Sequence, residues 1–187
     1  MKKRLLSIFV FFTIISFYSL ASAQSINDGF RGVPWGTSLS SFQNSNDFQF
    51  ERKTNTNYYL FVRKNENMSF GNAQLSRLFY VVCPNDGFIG TNIKTYPGFG
   101  KTLIETVVKA MGRPTSYNVV TGDTQIFHSH LGGSSKDYDY LWLINQIRIE
   151  IEHQIARVNF ETPNSPTRDV ADMYIMFDKN AQTGGGF

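Results

Sequence analysis

The strongest hydrophobic pattern in the chain is a helical repeat near its middle. Phe99, Leu103 and Val107 recur every four residues, which is the spacing of one apolar stripe on an α-helix. The stripe predicts an amphipathic helix that stops before Gly112, because glycine readily takes the left-handed conformation that ends a helix. Pro114 then prevents the helix from continuing.

The other patterns predict a second, shorter helix and several short strands. Ser38 can accept a hydrogen bond from the first free amides of a helix running to Asn44. The best strand signal is the alternation of isoleucine with charged residues over 147–152, which places the isoleucines in the core and the charges in water. The other predicted strands are 48–52, 57–63, 74–82, 117–120, 124–131, 138–145, 155–161 and 173–177.

This order of elements predicts an α+β fold with two helices and a mostly antiparallel sheet. The connections between strands are too short for the crossovers that parallel pairs require. A helix and three strands are followed by a longer helix and further strands, so two helix-plus-β-meander units side by side are also compatible with the sequence.

The N-terminus predicts export. A cationic start at Lys2, Lys3 and Arg4 precedes an apolar run from Leu5 to Leu20, and Ala21-Ser22-Ala23 then supplies the small residues of a cleavage site. We therefore expect residues 1–23 to be a signal peptide, since the apolar run is shorter than the ~20 residues that span a bilayer. The expected product is soluble, periplasmic or secreted, and has no membrane span after cleavage.

Beyond the signal peptide the sequence predicts one domain, residues 24–180, with possible halves 30–95 and 96–180. The glycine-rich residues 181–187 are expected to form a flexible tail.

The charge distribution argues against a nucleic-acid partner. The net charge of +3 is carried by Lys2, Lys3 and Arg4, and without them the basic residues equal the 15 acidic ones. No basic stripe remains that could follow a phosphate backbone.

Cys83 is the single cysteine, which rules out an intramolecular disulfide. It lies at the end of an apolar run, and the sequence leaves open whether the thiol is buried or forms an intermolecular disulfide.

Two short motifs carry a family resemblance. The first is Phe30-Arg31-Gly32-Val33-Pro34-Trp35-Gly36-Thr37-Ser38, and the second is the helix from Leu103 that ends in Met111-Gly112-Arg113-Pro114. Together they resemble a loose group of uncharacterised exported bacterial proteins. The resemblance implies export and an α+β meander architecture, and it implies no catalytic or binding residues.

Aromatic side chains are the best candidates for a binding surface. Trp35, Tyr138, Tyr140 and Trp142 can offer flat rings to an envelope protein, a peptide or a glycan. The alternative is that these rings fill the core. Our leading hypothesis from the sequence is an exported protein that binds a partner without catalysis and without a cofactor.

A histidine pair supports a second hypothesis. On a strand, His128 and His130 project to one face with roughly 7 Å between their Cα atoms, which suits shared metal ligation. They would make the protein a transition-metal-binding protein or a metal-dependent hydrolase. No metalloprotease, phosphate-loop or nucleophile-elbow motif accompanies them.

Overall fold

The structure is a computed structural model that describes residues 25–122, 133–158 and 167–179. Helix α1 spans Leu39–Asn44 and helix α2 spans Gly100–Met111. The strands are β1 (Gly29–Phe30), β2 (Val33–Pro34), β3 (Phe48–Lys53), β4 (Tyr59–Arg63), β5 (Ser69–Phe70), β6 (Ala73–Cys83), β7 (Gly87–Thr95), β8 (Ser116–Gly122), β9 (Gly133–Ile144), β10 (Ile147–Val158) and β11 (Thr167–Phe177).

One antiparallel sheet organises the molecule, and the predicted α+β class is confirmed. Its strand order is β3-β4-β6-β7-β11-β10-β9-β8, with β5 paired to β6 beside this path. Strands β1 and β2 form a separate small ribbon. The described residues contain no helix of the length and apolarity needed to cross a membrane.

The centre of the sheet is the pairing of β7 with β11, which we call the seam. In it Met173 lies opposite Ile93, and Met176 lies opposite Gly90. A Cβ atom at Gly90 would come within 2.5 Å of the Ile175 carbonyl oxygen. Glycine at this position therefore lets β11 approach β7 closely.

Both helices cover the same face of the sheet, which we call the helix face. Leu103 and Val107 of α2 pack into the core together with Ile149 of β10. Ile147, Ile149 and Ile151 are all buried, so the predicted alternation in this strand is confirmed. The antiparallel sheet leaves its other face, the polar face, partly open to solvent.

The start of α1 and the end of α2 lie where the sequence predicted them. The Ser38 side chain accepts a hydrogen bond from the Ser41 amide at the start of α1. After α2, Gly112 takes a φ of 81°, and its amide donates to the Val108 carbonyl. Glycine adopts that conformation at little cost.

Several strands differ from the sequence predictions: β11 begins at Thr167, before the predicted 173–177, and the short strands β1, β2 and β5 were not predicted. Strand β7 has no counterpart among the predicted strands. Strand β10 continues through His153, where the sequence predicted two shorter strands. Strand β9 begins at Gly133, before the start of the predicted strand at 138–145. The predicted signal peptide, the strand at 124–131 and the tail at 181–187 lie outside the described residues.

Candidate functional site

The aromatic cluster consists of Tyr117, Tyr138, Tyr140 and Trp142, which β8 and β9 place on the helix face. The Tyr117 ring lies 5.0 Å from Tyr140 and stacks on Tyr138 at 6.2 Å between ring centroids. Tyr140 stacks in turn on Trp142 at 6.0 Å. The structure thus brings together three of the aromatic residues that the sequence nominated, and it adds Tyr117.

The cluster runs from the core to the surface. Trp142 is 1% exposed, and its indole Nε1 donates to the Gly112 carbonyl at 3.0 Å, which anchors the inner end. Tyr117 is 52% exposed and its strand neighbour Val119 is 42% exposed. Rings held on one side and open on the other give a rigid contact area with little entropy left to lose on binding.

The Tyr140 hydroxyl keeps its proton in this setting. Partial burial raises the pKa of Tyr140, and the nearby Tyr117 and Tyr138 hydroxyls raise it further. The phenol is therefore a neutral hydrogen-bond donor at physiological pH.

A histidine and a carboxylate lie beside the cluster on the same face of the sheet. Tyr138 stacks on His153 with 5.6 Å between the rings, and His153 is only 4% exposed. The His153 Nε2 lies 2.5 Å from Asp169 Oδ1, and Asp169 also accepts the Lys101 amide at the start of α2. Asp169 therefore joins β11, β10 and α2 next to the rings.

The outer strand beside the cluster is uncharged. Within the described residues β8 pairs only with β9, so its other side forms one edge of the sheet. Its sequence, Ser-Tyr-Asn-Val-Val-Thr-Gly, contains neither a charged residue nor a proline. The opposite edge, β3, carries Glu51, Arg52 and Lys53 and a register shift next to them. Charges and bulges are the features that prevent an edge from pairing with another strand, and β8 lacks the charges.

The polar face carries an acidic groove that begins at β8. Its first part is a cavity of about 380 Å³ lined by Ser116, Asn118 and Glu150, and its second part is a cavity of about 490 Å³ that extends to Asp172. Asp139 and Glu152 line both parts, so the groove crosses several strands.

The cations of this face already have carboxylate partners, since Arg148 pairs with Glu150 near the first part of the groove. Arg77 and Lys94 both pair with Asp172, at 3.0 Å and 2.7 Å. Among the described residues, Asp139 and Glu152 make no ion pair with a cationic side chain. Partial burial raises the pKa of Glu152, and the neighbouring carboxylates, led by Asp139, raise it further. The end of the groove near β8 therefore has a negative potential.

Trp35 lies away from the aromatic cluster. Its ring stacks on Phe88 at 4.7 Å and on Phe177 at 5.8 Å, and its Nε1 donates to the Ile26 carbonyl at 2.8 Å. The structure therefore gives Trp35 a packing environment of its own, far along the sheet from Tyr138 and Tyr140.

An N-terminal cleft of about 870 Å³ lies beside this segment. Arg31 lines it, and its guanidinium donates to Glu66 Oε1 at 2.8 Å and to the carbonyls of Asn67 and Ser69. Tyr80 donates its hydroxyl to the other Glu66 oxygen at 2.5 Å, and burial followed by this contact raises the pKa of Tyr80 far above its ordinary value. The charges of this cleft are already paired with each other, which suits a structural role for Arg31.

The histidines of the metal hypothesis cannot be placed. His128 and His130 lie outside the described residues, so the prediction of a metal site there is untested. Elsewhere in the described ranges no group of three or more metal-binding side chains is arranged to hold an ion. Cys83 is half-buried, with its Sγ 3.5 Å from Asp86 Oδ2.

Sequence reasoning missed the His153–Asp169 pair, Tyr117 and the groove. Tyr117 alternates with Val119 on an outer strand, and that pattern could have identified it. The pairing of His153 with Asp169, 16 residues away, depends on the register of two strands and leaves no local signal.

No family model matches this chain, and neither a curated protein nor a solved structure matches it significantly.

Proposed function

We propose that this protein is an exported binding protein that holds an extended segment of another envelope polypeptide along β8, without catalysis. The observation that carries the proposal is the uncharged outer strand β8, which carries the exposed ring of Tyr117 and lies beside the half-buried rings of Tyr138 and Tyr140. An extended segment can join such an edge through main-chain hydrogen bonds.

The aromatic cluster gives the added strand a place to pack. On the helix face, Tyr117 and Val119 are exposed beside the edge, and Tyr138 lies behind them. An apolar side chain from the added strand would contact these rings and lose water with them.

The sheet order also supports the finer proposal that the chain consists of two helix-plus-β-meander units. The first unit would contain α1 with β3, β4, β6 and β7, and the second would contain α2 with β8 to β11. In this arrangement β3 and β8 are corresponding edges. One of them has charges that block pairing and the other has none, which is the difference expected if only β8 serves a partner.

The export part of the proposal rests on the N-terminal pattern of Lys2 to Ala23. The measurement is the intact mass of the protein recovered from a periplasmic fraction, which we expect to match residues 24–187. Recovery of the full-length chain from the cytoplasm would contradict export.

Hydrogen exchange tests the binding proposal directly. The probe is a short acetylated peptide that alternates threonine with valine, which is uncharged and favours the extended conformation. We expect it to slow amide exchange in β8, because outward-facing amides of that strand gain hydrogen-bond partners, while exchange in β3 stays unchanged.

A matched pair of variants separates specific contact with the Tyr117 ring from non-specific binding to exposed aromatic residues. Tyr117 and Tyr96 are both 52% exposed, and Tyr96 lies outside the aromatic cluster. Tyr117→Ala is expected to weaken peptide binding about threefold to tenfold, and Tyr96→Ala is expected to leave it unchanged. Equal slowing of exchange at β3 and β8, or equal effects of the two variants, would refute binding at β8.

A further inference from the structure

The two faces of the sheet differ next to β8, and the difference bears on which segment can bind there. On the helix face the edge presents Tyr117 and Val119. On the polar face it presents the short side chains of Ser116 and Asn118, with the acidic groove behind them. In a strand added to β8, successive side chains would meet these two environments alternately.

We infer that the bound segment is an alternating basic and apolar strand, whose lysine or arginine side chains enter the acidic groove while its apolar side chains pack on Tyr117. This inference rests on the proposed binding of a strand at β8 and specifies its partner.

The spacing of the strands permits this contact. Neighbouring strands lie ~4.8 Å apart, so an added strand would be about 10 Å from β9, which carries Asp139. A lysine or arginine side chain can extend most of that distance, and it would pass over Ser116 and Asn118, which are too short to block it. The cavity of about 380 Å³ at this point has room for its stem and charged head.

The charges of the groove favour a cation at this end. Asp172 already pairs with Arg77 and Lys94, and Glu150 pairs with Arg148. Asp139 and Glu152 lie opposite each other on β9 and β10, and within the described part of the chain neither forms an ion pair, although Lys94 is near enough to act on Glu152. A cation placed between them would replace a repulsive contact by two attractive ones, whereas an anion would add repulsion.

The test compares designed peptides on the intact protein. Fluorescent probes alternate valine with lysine, with glutamate or with threonine, and a fourth probe has the composition of the first in scrambled order. At about 0.05 M salt we expect the lysine probe to bind at least about tenfold more tightly than the glutamate probe. It should also bind several times more tightly than the scrambled probe, because only the alternating order presents all lysines to one face.

Variants locate the preference in the groove. Asp139→Asn is expected to weaken binding of the lysine probe about twofold to fivefold and to leave the threonine probe unchanged. Asp47→Asn makes the same chemical change at an exposed site outside the groove, and it should affect neither probe. Glu152→Gln combined with Asp139→Asn should remove most of the difference between the lysine and glutamate probes.

The possible failures are distinguishable. If the threonine, lysine and glutamate probes all slow exchange in β8 and bind equally, the proposed function stands and the basic preference is wrong. If the scrambled probe binds as tightly as the alternating lysine probe, or if Asp47→Asn weakens binding as much as Asp139→Asn, the probe is held by non-specific charge attraction and the inference is also wrong. If no alternating probe slows exchange in β8, the proposed function itself fails.

Discussion

Replacing Asp169 with alanine is expected to destabilise the fold, because this carboxylate holds two other elements to β11. The variant loses the hydrogen bond from the Lys101 amide, a helix-start contact worth about 1 kcal/mol. It also leaves His153, which is 4% exposed, without the charge-assisted partner of its Nε2, at a cost of about 2 kcal/mol. The free energy of unfolding should therefore fall by about 3 kcal/mol in total.

Urea denaturation followed by circular dichroism measures this loss. With a typical urea dependence of about 2 kcal/mol per molar, the midpoint should move down by about 1.5 M. The control is Asp47→Ala, which removes an exposed carboxylate and should cost less than about 0.5 kcal/mol.

A double-mutant cycle then isolates the contact between the two side chains. His153→Phe keeps a ring beside Tyr138 and removes both ring nitrogens. The loss of stability in the double variant should differ from the sum of the losses in the two single variants by about 1 to 2 kcal/mol, as expected for residues in direct contact. A loss below about 1 kcal/mol for Asp169→Ala, or strict additivity of the two changes, would refute the role assigned to this pair.

Three further predictions concern other parts of the sheet. Trp35→Ala removes a ring that stacks on Phe88 and on Phe177, and it should lower the free energy of unfolding by about 3 kcal/mol, measured by urea denaturation. An unchanged midpoint would contradict the packing role. The pKa of Glu152 is raised above its ordinary value of 4.5, so ionisation of this carboxyl lowers the stability of the fold as the pH rises through that range. Glu152→Gln should therefore be slightly more stable than the parent at pH 7 and lose this advantage near pH 4. The opposite pH trend would contradict the assignment. Ile149→Asp places a carboxylate in the core and should prevent folding, as judged by circular dichroism. Glu150→Ala changes the polar face and should lower the free energy of unfolding by less than about 0.5 kcal/mol. Equal damage from the two variants would mean that β10 is not buried on one face.

The features predictable from sequence are those specified by local patterns. The stripe containing Leu103 and Val107 identified α2, and Gly112 gave its end, because helix period and capping depend on neighbours along the chain. The alternation around Ile149 identified the buried face of β10 for the same reason.

Strand β7 was missed because its sequence, Gly-Phe-Ile-Gly-Thr-Asn-Ile-Lys-Thr, contains glycines and polar residues that are poor indicators of a strand. Gly90 is needed for the close approach of β11, and a contact of that kind is invisible in a local pattern. His153 was similarly hard to place, since a histidine occupies a core position there only because Asp169 lies beside it.

The same limit applies to the candidate site. The sequence nominated Tyr138, Tyr140 and Trp142 from residue type alone, and it grouped Trp35 with them. The strand register shows which rings are neighbours, and it places Asp139 and Glu152 side by side on the polar face. The groove is a property of that register, so it could not be recognised before the strands were aligned.

The seam between β7 and β11 also determines the order in which this chain can be completed as it is synthesised. Thr95 and Ala171, which are joined by a hydrogen bond across the seam, are 76 residues apart. Until the ribosome has produced β11, one side of β7 has no partner, although β6 can already pair with the other side. The nascent chain therefore carries an open strand edge while the residues between Thr95 and Thr167 are being added, and a chaperone that recognises such edges has a defined interval in which to bind it. Closure of the sheet is the event that ends this interval, and it depends on the last strand that the structure describes.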